Sequence, residues 1–285
     1  MADQKKRLAS NVDGEFFVDS TCIDCDACRQ IAPTVFAEFG SYSSVQAQPR
    51  SEKETREAWQ ALLSCPVAAI GCTGKNRAEE IQADFPIKVA EEIYYCGFTS
   101  RKSYGANSYF IRHPGGNWLI ESPRYVKKLA ERFEQLGGVK YIFLSHRDDV
   151  ADAAKYAEHW QSKRIIHQDD LDAEPEAELV LKGANDTVID SDFRIIFTPG
   201  HTAGHCVLLY KNKYLFTGDH LYYDRDLQHL SAFRDYCWYS WSDQKLSMAK
   251  LVDYDFEWVL PGHGQSINLA ATTMKNQLQE LVAQM

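Results

Sequence analysis

The chain has 285 residues, a formal net charge of −9 and 45% hydrophobic residues, enough for two domains with sizeable cores and too apolar for a disordered chain. Apart from a short basic run at 5–7 there is no cluster of Lys and Arg to neutralise phosphates, so nucleic acid is not expected as a partner. No stretch approaches the ~18 consecutive apolar residues of a membrane span and the first residues hold no apolar signal segment, so no membrane association is expected and a cytoplasmic or plastid-stroma-like reducing compartment is.

The first ~75 residues read as one small unit by their apolar patterning. EFFVDS is strand-like and feeds a cysteine loop, APTVFAEF suggests a short helical turn, and SEKETREAWQALLSCP is a capped amphipathic helix ending at Cys65. The polar stretch GKNRAEEIQADF predicts a linker, placed at 76–86. Beyond it, NSYFIRHPGGNWLIES predicts two strands around a Pro-Gly-Gly turn, YVKKLAERFEQLGG a helix, VKYIFLSH a buried strand and VADAAKYAEHW another helix. Strands recur in KRIIH, FRIIFTPGH, CVLLYKN and KYLFTGDH, followed by a helix in SDQKLSMAKLVDY, a strand in EWVLPGHG and a final helix from about Asn268. Strands mixed with helices throughout 87–285 predict a layered α/β domain.

Eight cysteines without a secretory segment point to thiol or metal chemistry rather than a disulfide framework. Cys22, Cys25 and Cys28 form C-x2-C-x2-C, a spacing that lets one loop present three thiolates to a soft metal centre. Cys65, followed by Pro66, supplies a fourth. Tetrahedral zinc would also accept four thiolates, although zinc sites commonly use two separate C-x2-C knuckles. Cys72, Cys96, Cys206 and Cys237 read as packed thiols. CIDCDACRQIAPTVF with CPVAAIGC resembles a single-cluster bacterial ferredoxin, which implies a [4Fe-4S] cluster on Cys22, Cys25, Cys28 and Cys65. Asp26 stands where many ferredoxins have a small residue, and negative charge from Asp24 and Asp26 is expected to lower the cluster's potential.

Four further residues follow apolar strands: His146 after IFLS, His201 after TPG, Asp219 after YLFTG and His263 after VLPG. Ligand-type residues at successive strand ends converge on one rim of a layered sheet domain. TPGHTAGH, FTGD and PGHG resemble the metal loops of the metallo-β-lactamase fold in glyoxalase II-like hydrolases. The resemblance implies ligands His201, Asp219 as the metal-bridging carboxylate, and His263. The loop that should read H-x-H-x-D-H is here HRDDVADA: with His146 first, Asp148 takes the second His position, Val150 and Ala151 replace the Asp and the last His, and a longer register would let Asp152 serve as the Asp. The resemblance then implies one or two further ions held by His146, Asp148, Asp152, His201, Asp219 and His263, with carboxylates shifting the preference from zinc toward iron or manganese. His205 is read as orienting its loop, and His220 as a substitute for a missing ligand or a packing residue.

An aromatic segment at 222–241, which includes Tyr236, Trp238, Tyr239 and Trp241, is read as covering an interface with the cysteine-rich unit or, alternatively, lining a substrate mouth. Together these features predict an α+β ferredoxin-like N-terminal domain at 1–75, the linker, and an αββα metallo-β-lactamase-like sandwich at 87–285. The functional expectation is an iron-sulfur electron-transfer metalloprotein with a redox partner protein and a small-molecule substrate. The alternatives are a thioester or lactone hydrolase whose cluster is structural or regulatory, and a redox sensor whose hydrolase centre has lapsed.

Overall fold

The computed structural model describes residues 2–285, which divide into two compact units. One comprises the chain up to Lys140 together with Ala151–Gln161; the other comprises Tyr141–Val150 and Ser162–Met285. No helix among the described residues is long and apolar enough to cross a membrane.

In the first unit, β1 (Phe16–Val18) is followed by the cysteine loop, α1 (Ala27–Ile31), the hairpin of β2 (Phe36–Phe39) and β3 (Tyr42–Val45), α2 (Glu52–Ser64) and β4 (Ile70–Cys72). β1 and β4 pair antiparallel, Phe16 opposite Cys72. The stretch expected to make a helical turn is strand at Phe36–Phe39, because Phe36 and Val45 pair and bury together while Gly40, at φ +62°, closes the hairpin. α2 starts as predicted: the Ser51 Oγ accepts from Glu54 N at 3.2 Å, and Glu54 accepts from Arg50 N at 2.6 Å. It stops at Cys65, which is extended ahead of Pro66.

The polar stretch 76–86 is folded rather than a bare linker. It holds α3 (Ala78–Ile81) and a 3-10 turn at Gln82–Asp84, fastened to α2 by the Arg56–Asp84 and Arg77–Glu52 ion pairs. Charged residues that read as a solvated connection are there spent on pairing with one helix. An antiparallel meander follows, β5 (Ile87–Ala90), β6 (Ile93–Tyr95), β7 (Tyr109–Ile111) and β8 (Trp118–Ile120). α4 (Lys127–Gln135) turns Leu129, Ala130 and Phe133 inward, with Phe133 stacked on Phe110 at 4.7 Å. α5 (Ala153–Trp160) adds Tyr156 and Trp160 beside Phe133.

The second unit contains the parallel strands β9 (Tyr141–Phe143), β10 (Lys163–His167) and β11 (Leu179–Leu181). It also has a six-stranded sheet of β12 (Thr187–Val188), β13 (Phe193–Phe197), β14 (Cys206–Tyr210), β15 (Tyr214–Gly218), β18 (Trp258–Pro261) and β19 (Ile267–Asn268), in that order. A small hairpin, β16 (Tyr222–Asp224) and β17 (His229–Ser231), precedes α6 (Trp241–Leu251), and α7 (Ala271–Gln284) closes the chain. β14 and β15 are buried along their whole length, as strands covered on both faces must be. Val207, Leu209, Leu215 and Val259 pack against Met248 and Leu251 of α6 and Met274 and Leu278 of α7.

Candidate metal centres

Cys22, Cys25, Cys28 and Cys65 line one cavity whose other walls are largely apolar, among them Val18, Ile23, Val67 and Ile70. The loop winds through left-handed conformations at Asp24 and Asp26, with φ of 58° and 65°, which turns backbone N–H groups toward the sulfurs. Asp24 N donates to Cys22 Sγ at 3.4 Å, Ser43 N to the same sulfur at 3.5 Å, and Ala69 N to Cys65 Sγ at 3.3 Å. Burial pushes the Cys25 thiol up to about 12 and raises Cys28 and Cys65 as well, so deprotonated sulfurs here need a cation among them. An apolar chamber with four converging sulfurs and amide donors fits an iron-sulfur cluster.

The acidic residues of the loop are paired. Arg29 Nε lies 2.6 Å from Asp26 Oδ1 and its Nη1 2.6 Å from Asp24 Oδ1, with the arginine side chain only 11% exposed. One guanidinium on α1 thus pairs with both carboxylates whose charge was expected to lower the potential.

The second unit brings a further set of donors together. Asp219 Oδ2 has three imidazoles around it: His201 Nε2 at 3.7 Å, His146 Nε2 at 3.8 Å and His263 Nε2 at 3.9 Å. These separations are too long for hydrogen bonds and suit donors that share ions. Asp148 Oδ2 joins at 3.3 Å from His201 Nε2 and 3.9 Å from His146 Nε2. Among the described residues, buried His146 Nε2 and Asp219 Oδ1 have no hydrogen-bond partner, as side chains that face a cation would. Two donor groups are drawn wholly from the second unit, His146 with His201 and Asp219, and Asp149 with Asp219 and His263, so Asp219 is common to both.

Asp149 is the ligand candidate that the sequence reading missed, and Asp152 is the one that the structure does not bring in. After His146 the chain makes a tight 3-10 turn, Arg147–Asp149, which buries Asp149. Asp152 instead accepts from Lys102 Nζ at 2.8 Å and Tyr125 N at 2.8 Å and faces Lys155 at 3.2 Å, three partners that hold its carboxyl below the ordinary range despite the opposing cost of burial. Neither register of the H-x-H-x-D-H comparison placed a donor three residues after His146.

Close backbone approaches keep the rim compact. A Cβ on Gly262 would lie 2.8 Å from both Asp149 Oδ2 and Asp219 Oδ1, and one on Gly218, at φ +49°, would meet Ser145 Oγ at 2.2 Å. Asp170, buried in the loop after β10, accepts from Arg147 N at 3.2 Å, Thr202 Oγ1 at 2.5 Å and Gly204 N at 3.2 Å. It thereby ties together the loops of His146 and His201, a role with no local sequence mark. Burial lowers His146 to about 4, against the pull of Asp219, so this imidazole is neutral and suited to ligation.

His205 does orient its loop: its Nδ1 lies 3.1 Å from Thr198 Oγ1, and its carbonyl accepts from Thr198 N at 2.9 Å. His220 is fully buried and stacks on the His205 ring with centroids 5.1 Å apart, outside both donor groups. Part of the aromatic segment is exposed. Tyr236, Trp238 and Tyr239 are 58%, 64% and 58% exposed, while Trp238 N donates to the His201 carbonyl at 3.0 Å and its ring lies 6.2 Å from the His201 ring.

Comparison with known families follows the two centres. The profile of the metallo-beta-lactamase superfamily matches residues 102–263, more than half of the chain. The chain belongs to that superfamily. The 4Fe-4S single cluster domain of ferredoxin I matches residues 18–72, which include Cys22, Cys25, Cys28 and Cys65, so the chain joins an iron-sulfur domain to a metallo-beta-lactamase domain. Among solved structures, DIM-1 metallo-beta-lactamase exposed to ceftazidime is 18% identical with a TM-score of 0.52, covering 69% of this chain and 95% of that one. VMB-1 is 19% identical with the same TM-score of 0.52 and the same coverage, 69% and 95%. At these identities the likeness shows the metallo-beta-lactamase fold alone. The uncharacterized protein YmaE of Bacillus subtilis (strain 168) is 30% identical over 84 residues, 29% of this chain and only 31% of the relative's own length. Within the superfamily's metal rim this chain offers three carboxylates, Asp148, Asp149 and Asp219, beside His146, His201 and His263.

Proposed function

We propose that this protein is an electron-transfer metalloprotein, in which residues 1–75 exchange an electron with a redox partner protein and residues 87–285 hold one or two further ions and a small-molecule substrate. The observation that supports this reading most is the oxygen-rich donor set around Asp219, in the same chain as the four-cysteine chamber. Carboxylates in place of imidazoles favour harder, redox-capable iron or manganese over zinc. When bound, the cluster supplies one-electron storage and a rim metal supplies Lewis acidity. The chain's own residues hold the thiolates in an apolar chamber, balance Asp24 and Asp26 with Arg29, and keep His146 neutral. Eight cysteines with no disulfide among the described residues suit a reducing compartment.

Oxygen-free purification followed by metal analysis tests the reading. The expected result is about four irons from the cluster plus additional iron or manganese, with H201A and H263A losing only the addition. Colourless, zinc-loaded protein would overturn it. A second reading, a thioester or lactone hydrolase, draws support from Asp149, which completes a second donor group beside the first. Hydrolysis at the same rate with the cluster oxidised and reduced would favour that alternative.

A further inference from the structure

The cluster-binding residues are not enclosed by the ferredoxin segment alone. Gly105, at φ +92°, passes so close to Cys25 that a Cβ there would stand 2.6 Å from the cysteine Cβ and 2.8 Å from its Sγ. Asn107 Nδ2 donates to Gln30 Oε1 at 3.1 Å, and Thr99 Oγ1 donates to the Ser64 carbonyl at 2.8 Å. The most consequential of these contacts is Arg124. Its Nη2 donates to the Leu63 carbonyl at 2.6 Å and its Nη1 to the Cys65 carbonyl at 3.1 Å, so the guanidinium seals the end of α2 and sits on the backbone of the fourth cluster cysteine.

Arg124 is held in place from several sides. Its N donates to the Phe98 carbonyl at 3.0 Å, its own carbonyl accepts from Tyr156 Oη at 3.1 Å, and the guanidinium lies 5.7 Å from the Phe98 ring centre. Two carbonyls at a helix C-terminus explain an arginine there as a cap. They do not explain why it is placed at the ligand's own peptide, where a permanent positive charge acts on any charge carried by the sulfur. A cluster with four thiolates is anionic, and one-electron reduction adds to its negative charge, so a fixed neighbouring cation stabilises the reduced form preferentially. Part-burial strengthens the effect by limiting solvent screening.

We propose that Arg124 is a positioning residue for electron transfer: a charge supplied from the metallo-beta-lactamase-family portion of the chain that raises the cluster's reduction potential through Cys65. The proposal rests on the electron-carrying reading above. It implies that the lactamase-family segment contributes directly to the redox set-point of the iron-sulfur domain.

The test is an anaerobic, mediator-equilibrated potentiometric titration of the full-length holoprotein, followed by visible absorbance and electron paramagnetic resonance. R124Q keeps hydrogen-bond donors but removes the charge, and R124K keeps the charge. The expected result is a more negative midpoint for R124Q at unchanged iron content and a midpoint near wild type for R124K. A wild-type midpoint in R124Q overturns the assignment. Loss of iron from R124Q with an intact, wild-type-like R124K still supports a charge role, whereas loss of iron from both variants assigns Arg124 to packing and overturns it. Wild-type protein without any reversible transition would overturn the electron-carrying reading as well, and is thereby distinguished from a normal transition indifferent to substitution.

Discussion

Asp149 and Asp219 converge on Gly262, whose missing side chain would otherwise stand 2.8 Å from one oxygen of each. Two carboxylates drawn this close to one backbone position, with His263 next in the chain, form the oxygen-rich half of the rim. Replacing Gly262 with Ala forces both aside, at about 1–3 kcal/mol for the overpacking. The expected outcome of G262A is loss of the additional metal with the four-iron content retained, read by elemental analysis and the visible spectrum. Full retention of the additional metal would show that the approach is not needed for binding.

The exchange of roles between Asp149 and Asp152 can be separated in the same way. D149N is expected to reduce the affinity for the additional metal by at least about tenfold, the loss that even a residue supporting a ligand commonly brings. D152N is expected to leave metal content unchanged and to lower stability by about 1 kcal/mol, because it weakens contacts with Lys102, Lys155 and Tyr125 N. Metal competition titrations and denaturation midpoints measure the two effects. A metal defect in D152N would restore the longer register suggested by the sequence.

Arg29 carries a prediction for the other centre. R29Q removes the cation that pairs with Asp24 and Asp26, leaving Asp26 only the Gln30 amide donor. The cluster potential should move in the negative direction, and stability should fall by about 1–3 kcal/mol, the cost of charge-assisted hydrogen bonds in a mostly buried setting. The additional R29Q/D26N substitution should recover part of the potential shift. Potentiometry that finds no shift in R29Q would mean that solvent already screens the pair.

Acid stability has a local contributor far from either centre. Asp186 is held below its ordinary value of 3.8, against the cost of burial, by Lys250 Nζ at 2.6 Å and by the Tyr254 hydroxyl. A depressed carboxylate stabilises the fold fully above its unfolded value, and the contribution disappears as pH falls through the folded value. D186N should therefore cost about 1–2 kcal/mol from roughly pH 5 to 8, and the gap to wild type should close below about pH 4. Urea unfolding across that range measures it. A gap that persists at low pH would point to lost packing rather than lost charge.

Local chemistry explains which features were legible in the sequence. Cys22, Cys25 and Cys28 lie within one loop, and Cys65 is marked by the proline after it, so the cluster could be read from spacing. His146, His201, Asp219 and His263 each follow an apolar strand, which gave the rim. Asp149 was hidden because an H-x-H-x-D-H comparison assumes a fixed register, whereas a 3-10 turn brings residues three apart onto one side. Asp170 was hidden because its work is done through contacts with Thr202 and Gly204, more than thirty residues away. β2 was mistaken for a helical turn because Phe36 and Phe39 are also spaced as on a helix; only the pairing with β3 decides. The exposed Trp238 shows the limit of reading aromatic density as burial.

The closeness of Gly105 to Cys25 means that the cysteine site is not self-contained. Cys25 lies against a backbone turn from residues 99–125 and the Cys65 carbonyl is clasped by Arg124, so a fragment ending before this stretch would leave both cysteines without these neighbours.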